Sequence, residues 1–202
     1  MVDKNRTAII KNRYNRIAPM FNIMDKMIKD KWRKALFSKV RGELLEVGVG
    51  TGANLPFYHQ NAKVTAIDFS PKMLSYARKA AERHNIKVNL LEMDAQNMDF
   101  SDNQFDAVVT TCVFCSVPDP IQGLKEIRRV LKPEGRLYML EHMRSENAFL
   151  GKVMDWLNPL IVGTMGANIN RYTMDNLAQA GFQVADEKQL MGSIMRELQL
   201  KQ

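Results

Sequence analysis

Three glycines at alternating positions after a short apolar run constrain the fold of this chain more than any other feature. The run and the glycines form LLEVGVGTG, in which the glycines are Gly48, Gly50 and Gly52. Glycines between a buried strand and a following element allow a tight turn and let a ligand approach the backbone closely. Because a turn alone does not need three of them, we expect a ligand site on this loop.

Strand-like and helix-like segments alternate after the glycine loop. Apolar runs predict strands at VTAIDFS (64–70), VNLLEMDA (88–95), FDAVVTTCVF (105–114) and RLYMLEHM (136–143), and at 183–190 and 193–200. Helical patterns lie at 71–85, 120–133 and 174–182. This alternation predicts an α/β fold whose sheet has seven strands, mostly parallel, with helices on both faces.

The positive charge of the chain is concentrated at its N-terminus. Residues 1–41 hold twelve Lys or Arg and three Asp or Glu, whereas the remaining 161 residues hold 17 basic and 19 acidic groups. Apolar residues from Ile10 to Leu36 recur at helical spacing, interrupted by Pro19. We therefore expect a basic amphipathic helical cap at 1–41, hinged near Ala18–Pro19, and a single domain at 42–202.

The polar face of this cap includes Lys11, Arg13 and Arg33, which we expect to face solvent. Two roles stay open for the cap. It could close over the ligand site, or it could lie on anionic lipid headgroups with Phe21 or Trp32 at the membrane interface.

Several classes of protein are disfavoured by composition. With 202 residues the chain fits one domain, and its apolar runs are far shorter than the about 20 residues that a membrane-spanning helix needs. The first residues lack the continuous apolar stretch of a signal peptide, which predicts a cytoplasmic protein. Cys112 and Cys115 form a CxxC with no histidine nearby, so we expect neither a zinc site nor a disulfide scaffold, and no metal.

Acidic residues at the strand ends indicate the chemistry of the ligand. The loop also satisfies the dinucleotide pattern, but Glu46 would sit poorly beside a pyrophosphate and would suit a cationic amino group. Asp68 follows 22 residues later and suits a ribose diol, and Asp94 could accept a hydrogen bond from the amino group of adenine. An amine, a ribose and an adenine without phosphates describe S-adenosylmethionine.

The chain resembles the class I S-adenosylmethionine-dependent methyltransferases over about residues 40–142. The similarity rests on four segments: LLEVGVGTG, VTAIDFSPKML, LEMDAQNMDFSDNQFD and LKEIRRVLKPEGRLYMLE. It implies a Rossmann-like fold and a cofactor site in which the methionine end meets the glycine loop, the ribose meets the second strand, and the adenine and sulfonium lie nearby. The implied residues are Glu46, Gly48, Gly50, Gly52, Asp68, Phe69, Met73, Asp94, Ala95 and Thr111.

Within that superfamily the chain is similar to enzymes with small lipophilic acceptors. YNRIAPMFNIMDKMI resembles the N-terminal segment of quinone C-methyltransferases and bacterial phospholipid N-methyltransferases. VVTTCVFCSVPDP with LYMLEHM resembles the latter group and the thiol methyltransferases of animal membranes. The resemblance implies methyl transfer to a lipophilic acceptor such as a phospholipid amine, with a thiol or a quinone precursor as alternatives.

Five residues outside the cofactor motifs are candidates for acceptor chemistry. His142, at the end of the fifth predicted strand, could take a proton from an amine or thiol, and Tyr14 could close over the sulfonium or acceptor. Trp156 lies in a predicted helical lid, FLGKVMDWLNPL, and Arg171 and Tyr172 could meet an anionic headgroup.

Two other functions remain alternatives. The basic cap could bind RNA, but the base-amine methylation motif is absent after the fourth predicted strand and no RNA-binding module is recognisable, which disfavours a nucleic-acid partner. A protein that binds S-adenosylmethionine and associates with membranes without catalysis is the second alternative. Nothing in the sequence predicts an oligomeric state.

Overall fold

The structure, a computed structural model, describes residues 4–25 and 28–202, and for residues 4, 22–24 and 165 the backbone only. The helices in these ranges are α1 (Lys4–Asp25), α2 (Asp30–Ser38), α3 (Pro71–His84), α4 (Pro120–Val130), α5 (Ala148–Met165) and α6 (Thr173–Gln179). The strands are β1 (Glu43–Val47), β2 (Lys63–Asp68), β3 (Asn89–Glu92), β4 (Phe105–Thr111), β5 (Leu131–His142), β6 (Gln183–Met191) and β7 (Met195–Lys201). A 3₁₀ turn lies at Leu55–Phe57.

The seven strands form one sheet in the order β3-β2-β1-β4-β5-β7-β6. β1 pairs in parallel with both β2 and β4, and β7 runs antiparallel to its neighbours β5 and β6. The strand order reverses between β1 and β4, and in open α/β sheets ligands bind outside the carboxyl ends of the strands at such a point. The predicted mostly parallel seven-stranded sheet is confirmed.

Successive residues of the central strands belong to cores on opposite faces of the sheet. Leu45 of β1 packs in the same cluster as Leu124 of α4, whereas Leu44 packs in the cluster that holds Leu36 of α2. Side chains alternate across a strand, so a strand that is apolar at every position buries both faces. The helices therefore cover both faces, as predicted.

Two helices begin with a capped turn directly after a polar strand end or loop. Ser70 accepts a hydrogen bond from the Met73 N–H at 3.1 Å at the start of α3, and Asp119 accepts one from the Gln122 N–H at 3.0 Å at the start of α4. A proline follows each cap, where its missing N–H costs nothing. The first of these caps fixes the chain two residues after Asp68.

The predicted hinge near Ala18–Pro19 is wrong, because α1 continues through Pro19 and the helices separate only after Asp25. A proline inside a helix costs about 3 kcal/mol or more. Contacts on both sides offset that cost here. Asn15 Oδ1 accepts from Ser70 Oγ at 2.7 Å, and Ala18 is 1% exposed. Tertiary packing thus holds as a helix a segment that local propensity would bend.

The expected solvent-facing and membrane-facing roles on α2 are also wrong. Trp32 is 9% exposed and lies in the core that holds Leu36, so it cannot sit at a membrane interface. Arg33 is 2% exposed rather than solvated. Its guanidinium is held by Asp25 at 2.6 Å and by Asn54, which compensates its charge and its donors.

Replacing Leu124 with alanine tests how much of the stability comes from the core between α4 and the sheet. Leu124 is fully buried, so we expect Leu124→Ala to lower the free energy of unfolding by about 2–5 kcal/mol, through lost burial and a residual cavity. Urea denaturation followed by circular dichroism measures it. The same substitution at Leu160, which is exposed, should change stability by at most about 0.5 kcal/mol. Equal losses at both positions would contradict this account of the core.

Candidate active site

A cleft lies at the carboxyl ends of β1, β2 and β4, where the strand order reverses. It encloses ≈ 800 Å³ of space, counted out to its open mouth. The sheet, the loop after β4 and both N-terminal helices contribute to it. Its walls include Tyr14, Phe21, Asp25, Arg33, Gly48, Gly50, Asn54, Asp68, Phe69, Met73, Asp94, Ala95, Thr111, Cys112 and Ser116. The N-terminal cap therefore forms one wall of the cleft.

Different local contacts explain why the first and the last of these three loop positions are glycine. At Gly48, with φ +75°, a Cβ would lie 2.5 Å from a methyl of Val113, so any side chain would collide with the loop after β4. At Gly52, with φ +89°, a Cβ would come within 3.2 Å of the Ala77 Cα in α3. Gly48 and Gly50 line the cleft, whereas Gly52 serves the close approach of the loop to α3.

Asp68 ends β2 inside the cleft and is 7% exposed. Its carboxylate accepts hydrogen bonds from the backbone N–H of Gly50 at 2.9 Å and of Ser70 at 2.8 Å. Burial raises the pKa of Asp68 to about 6, and these two N–H groups oppose the rise. Because a backbone N–H holds each oxygen, the remaining lone pairs of the carboxylate point in fixed directions. These directions suit a pair of ribose hydroxyls.

Asp94 follows β3 and is oriented by Gln96. The Gln96 amide donates to both carboxylate oxygens of Asp94 at 3.0 Å and also to Thr7 Oγ1 at 3.3 Å. Gln96 is buried, and its side-chain oxygen accepts from the Asp119 N–H at 2.9 Å. Asp94 and its neighbour Ala95 both line the cleft, so the structure brings this pair to the same site as Asp68.

Glu46 lies beneath the cleft rather than in its wall. Its two oxygens accept hydrogen bonds from the Asn54 amide, at 2.7 Å, and from the Tyr58 hydroxyl. Burial raises the pKa of Glu46 to about 7. The same Asn54 amide donates to Thr111 Oγ1 at 3.0 Å, and both of these residues line the cleft. Glu46 therefore acts on the cleft by holding Asn54, a residue of its wall, in place.

Arg33, Asp25 and Asn54 are cleft residues that sequence reasoning missed. The Arg33 guanidinium donates to the side chains of Asp25 and Asn54, and all three residues line the cleft. Burial raises the pKa of Asp25, and Arg33 opposes that rise. A signal was available, because Arg33 lies one helical turn before Leu36 and Phe37 and therefore shares their buried side of α2.

Three aromatic rings from α1 and the β2 end form the opposite wall. The Tyr14 ring lies 5.9 Å from the Phe21 ring and 5.7 Å from the Phe69 ring, centroid to centroid. The Phe21 ring also lies 3.6 Å from where a Cβ of Gly50 would be. Burial, above all, raises the pKa of Tyr14, so its phenol stays protonated at neutral pH and can donate a hydrogen bond.

The remaining candidates for acceptor chemistry lie outside the cleft wall in the described part of the chain. His142 ends β5, and burial lowers its pKa. Arg171 Nη2 donates to the Val117 carbonyl at 2.8 Å, in the loop after β4. Tyr172 is exposed, with the Arg144 guanidinium over its ring. Trp156 is 80% exposed on α5. Their roles toward an acceptor stay predictions.

Glu141 supports the cleft from behind. It is fully buried on β5, and its Oε1 accepts from Thr110 Oγ1 and the Val113 N–H, each at 3.0 Å. Burial raises the pKa of Glu141 to about 7. Because Val113 is the residue that a side chain at position 48 would strike, this carboxyl group fixes the distance between the loop after β4 and the glycine loop.

Within residues 4–25 and 28–202, no three histidine, cysteine or acidic side chains are grouped so as to hold a metal ion. In the same ranges, no helix combines the length and the apolar character that crossing a membrane requires.

Comparison with known proteins identifies the class that this site defines. The family model described as a methyltransferase domain matches residues 45–139, which hold the glycine loop, Asp68 and Asp94. A demethylmenaquinone methyltransferase of Thermus thermophilus is 31% identical over 76% of this chain and 79% of its own length. The chain belongs to the class I S-adenosylmethionine-dependent methyltransferases, and S-adenosylmethionine is the cofactor of that family.

Relatives with different acceptors are similar to the chain at comparable levels. A phosphatidylethanolamine N-methyltransferase of Cereibacter sphaeroides is 39% identical over 55% of this chain and 56% of its own length. A human thiol S-methyltransferase is 37% identical over 69% of this chain and 59% of its own length. The chain thus spans little more than half of these two relatives.

Solved structures show the same fold over nearly the whole chain. An S-adenosylmethionine-dependent methyltransferase from Thermotoga maritima superposes with a TM-score of 0.70, at 22% identity, over 95% of this chain and 99% of that one.

Cofactor affinity should depend on pH through Asp68. Because burial raises the pKa of Asp68 to about 6, the free carboxyl group holds a proton below that pH, and binding through the ionised form must expel it. We expect the affinity for S-adenosylhomocysteine, measured by calorimetry, to fall as the pH is lowered from 7 to 5. Asp68→Asn should weaken binding at pH 7 by about 1.5–3 kcal/mol, the range for a hydrogen bond to a charged group, and lack this pH dependence.

Asp99→Asn, at an exposed position outside the cleft, is the matched control and should behave as the wild type. A wild-type affinity that stayed constant between pH 5 and 7, or a pH profile shared with Asp68→Asn, would count against Asp68 as the ribose ligand.

Proposed function

We propose that the protein transfers the methyl group of S-adenosylmethionine to a small lipophilic acceptor, and specifically to a phospholipid amine of the phosphatidylethanolamine type. The observation that supports an amine acceptor is the aromatic wall formed by Tyr14, Phe21 and Phe69. Aromatic faces attract cations, and quaternary ammonium groups are recognised in this way. The phosphatidylethanolamine nitrogen is cationic as an ammonium and becomes quaternary at its third methylation, whereas a methylated thiol or quinone is neutral.

The cleft offers each part of the cofactor a suitable partner. Asp68 would hold the ribose hydroxyls, and Asp94 with Ala95 would meet the adenine between Phe69 and Met73. At the other end, the Arg33 guanidinium would meet a methionyl carboxylate, and the Asp25 carboxylate would take the amino group. The buried Asp68 carboxylate, with two backbone donors and open lone pairs, fits this assignment. When bound, the cofactor supplies an electrophilic methyl group on a sulfonium.

The residues of this chain contribute mainly alignment. Methyl transfer is an in-line displacement, and holding two reactants in line can contribute about 7–11 kcal/mol of the barrier. Tyr14 lies where α1 meets the loop that holds Ser116, and its phenol stays protonated, so it would orient an acceptor and would not remove a proton. His142, at the end of β5, remains our candidate for that proton.

Two other acceptors follow from the relatives, namely a thiol and a quinone precursor. A thiol and an ammonium must each lose a proton before transfer, so the need for a base does not separate these acceptors. RNA methylation and cofactor binding without turnover remain the alternatives from other classes. Each of these four makes a different prediction for one transfer experiment.

Labelled methyl transfer decides among these acceptors. With S-adenosylmethionine carrying a labelled methyl group, we expect label in phosphatidylethanolamine vesicles, separated by thin-layer chromatography, and little in a small thiol, demethylmenaquinone or tRNA. Tyr14→Phe keeps the ring but loses the phenol hydrogen bond, so it should retain more of the rate than Tyr14→Leu, which should lose tenfold or more because the aromatic face is gone. Label confined to the thiol, the quinone or the tRNA would refute the amine proposal. Tight cofactor binding without label anywhere would favour the non-catalytic alternative.

The affinities for two ligands distinguish a role of Arg33 in binding the amino acid end of the cofactor from a purely structural role. S-adenosylhomocysteine carries the amino acid end, and 5′-deoxy-5′-methylthioadenosine lacks it. We expect Arg33→Met to weaken the binding of S-adenosylhomocysteine more than tenfold and to change the affinity for methylthioadenosine less than threefold. Arg33→Lys keeps the charge but not the planar guanidinium, so its affinity for S-adenosylhomocysteine should lie between those of the wild type and Arg33→Met. Equal losses for both ligands would mean that Arg33 only supports the fold around Asp25.

A further inference from the structure

The outer face of α5 exposes large apolar side chains in one stripe. Phe149 is 78% exposed, Trp156 is 80% exposed and Leu160 is 68% exposed. At 3.6 residues per turn these three positions lie within a narrow arc of the helix, and Pro159 and Gly163 extend the same side. Soluble proteins rarely leave contiguous apolar surface of this kind without an interaction partner. We call Phe149, Trp156 and Leu160 the α5 stripe.

The α5 stripe lies beside the cleft. Arg13 of α1 donates to the Val162 carbonyl of α5 at 2.7 Å, and Tyr14, the next residue, lines the cleft. At the end of α5, the Asn168 N–H donates to the Cys115 carbonyl at 2.8 Å, in the loop that forms another wall of the cleft. The helix that carries the stripe is therefore joined to two walls of the cleft, and a hydrophobic acceptor leaving the stripe would have a short path inward.

Positive charge accompanies the stripe. Lys152 is exposed one turn after Phe149, and Arg16 is exposed one turn after Arg13. Among the ion pairs of the described residues, neither Lys152 nor Arg16 takes part, whereas Asp155 on the same helix is neutralised by Arg144 at 2.8 Å. Apolar and aromatic side chains with uncompensated basic neighbours are the pattern of a helix that lies in the interface of an anionic membrane.

We propose that the α5 stripe docks on the surface of an anionic lipid bilayer, with Trp156 and Phe149 inserted at headgroup level and Lys152 and Arg16 against lipid phosphates. The charge argues for lipid over a second copy of this chain. In a symmetric dimer built on this face the same basic residues would meet each other, whereas anionic headgroups neutralise them. The proposal deepens the proposed function, since docking here presents a phospholipid acceptor to the cleft, but the docking step needs neither cofactor nor methyl transfer.

Tryptophan fluorescence gives a direct test, because the chain has two tryptophans, of which Trp32 is buried and Trp156 exposed. Vesicles of phosphatidylcholine with about a third phosphatidylglycerol are titrated into the full chain without cofactor. We expect a blue shift of the emission that Trp156→Phe abolishes, and co-sedimentation that falls at least fivefold in the double variant Phe149→Ser/Trp156→Ser. Lys152→Glu should weaken binding and reduce its dependence on salt.

The matched control is Val184→Ser/Met191→Ser, which removes two exposed apolar side chains from β6 and should leave vesicle binding unchanged. S-adenosylhomocysteine affinity, equal in all these variants, shows that they are folded. Co-sedimentation of Phe149→Ser/Trp156→Ser at the wild-type level, or no blue shift at saturating lipid, would overturn the proposal. So would a wild-type dimer that this variant dissociates in sedimentation velocity. Vesicle binding without label in phosphatidylethanolamine would refute the phospholipid acceptor and leave the docking surface standing.

Discussion

The buried cluster around Arg33 joins the N-terminal helices to the glycine loop, and the shape of the cleft depends on it. One guanidinium lies between the Asp25 carboxylate at the end of α1 and the Asn54 side chain that follows the glycines. Asn54 in turn holds Glu46 of β1 and Thr111 of β4. Burying such charges is costly unless every partner is present, and removing one partner typically costs about 3–5 kcal/mol. The cluster thus ties two helices and two strands to one geometry.

This arrangement explains why the cap and the catalytic domain share one site. α1 contributes Tyr14, Phe21 and Asp25 to the cleft, and α2 contributes Arg33. The strand ends provide Asp68, Phe69 and Asp94, whereas Tyr14, Phe21 and Arg33 come from the N-terminal helices. The cleft walls beyond the sheet therefore come from α1, α2 and the loop after β4.

The elements and their order could be predicted from the sequence because the central strands are short runs rich in buried apolar residues and helices such as α3 start at clear caps such as Ser70. The glycines, Asp68 and Asp94 could be placed for the same reason, since strand ends in a parallel sheet meet at one edge. Pro19 was misleading because tertiary contacts at Asn15 and Ala18 outweigh its local cost. Arg33 was misleading because the sequence alone does not distinguish a charge that is compensated by residues distant along the chain from a solvated charge.

The hydrogen bond from Ser70 to Asn15 has a consequence for turnover. Ser70 provides an N–H to Asp68, caps α3 and holds α1 through Asn15. Any outward movement of α1 that widens the cleft must break a bond at Ser70, the residue that positions the Asp68 carboxylate. The same motion that opens the cleft would therefore loosen a ligand held by Asp68.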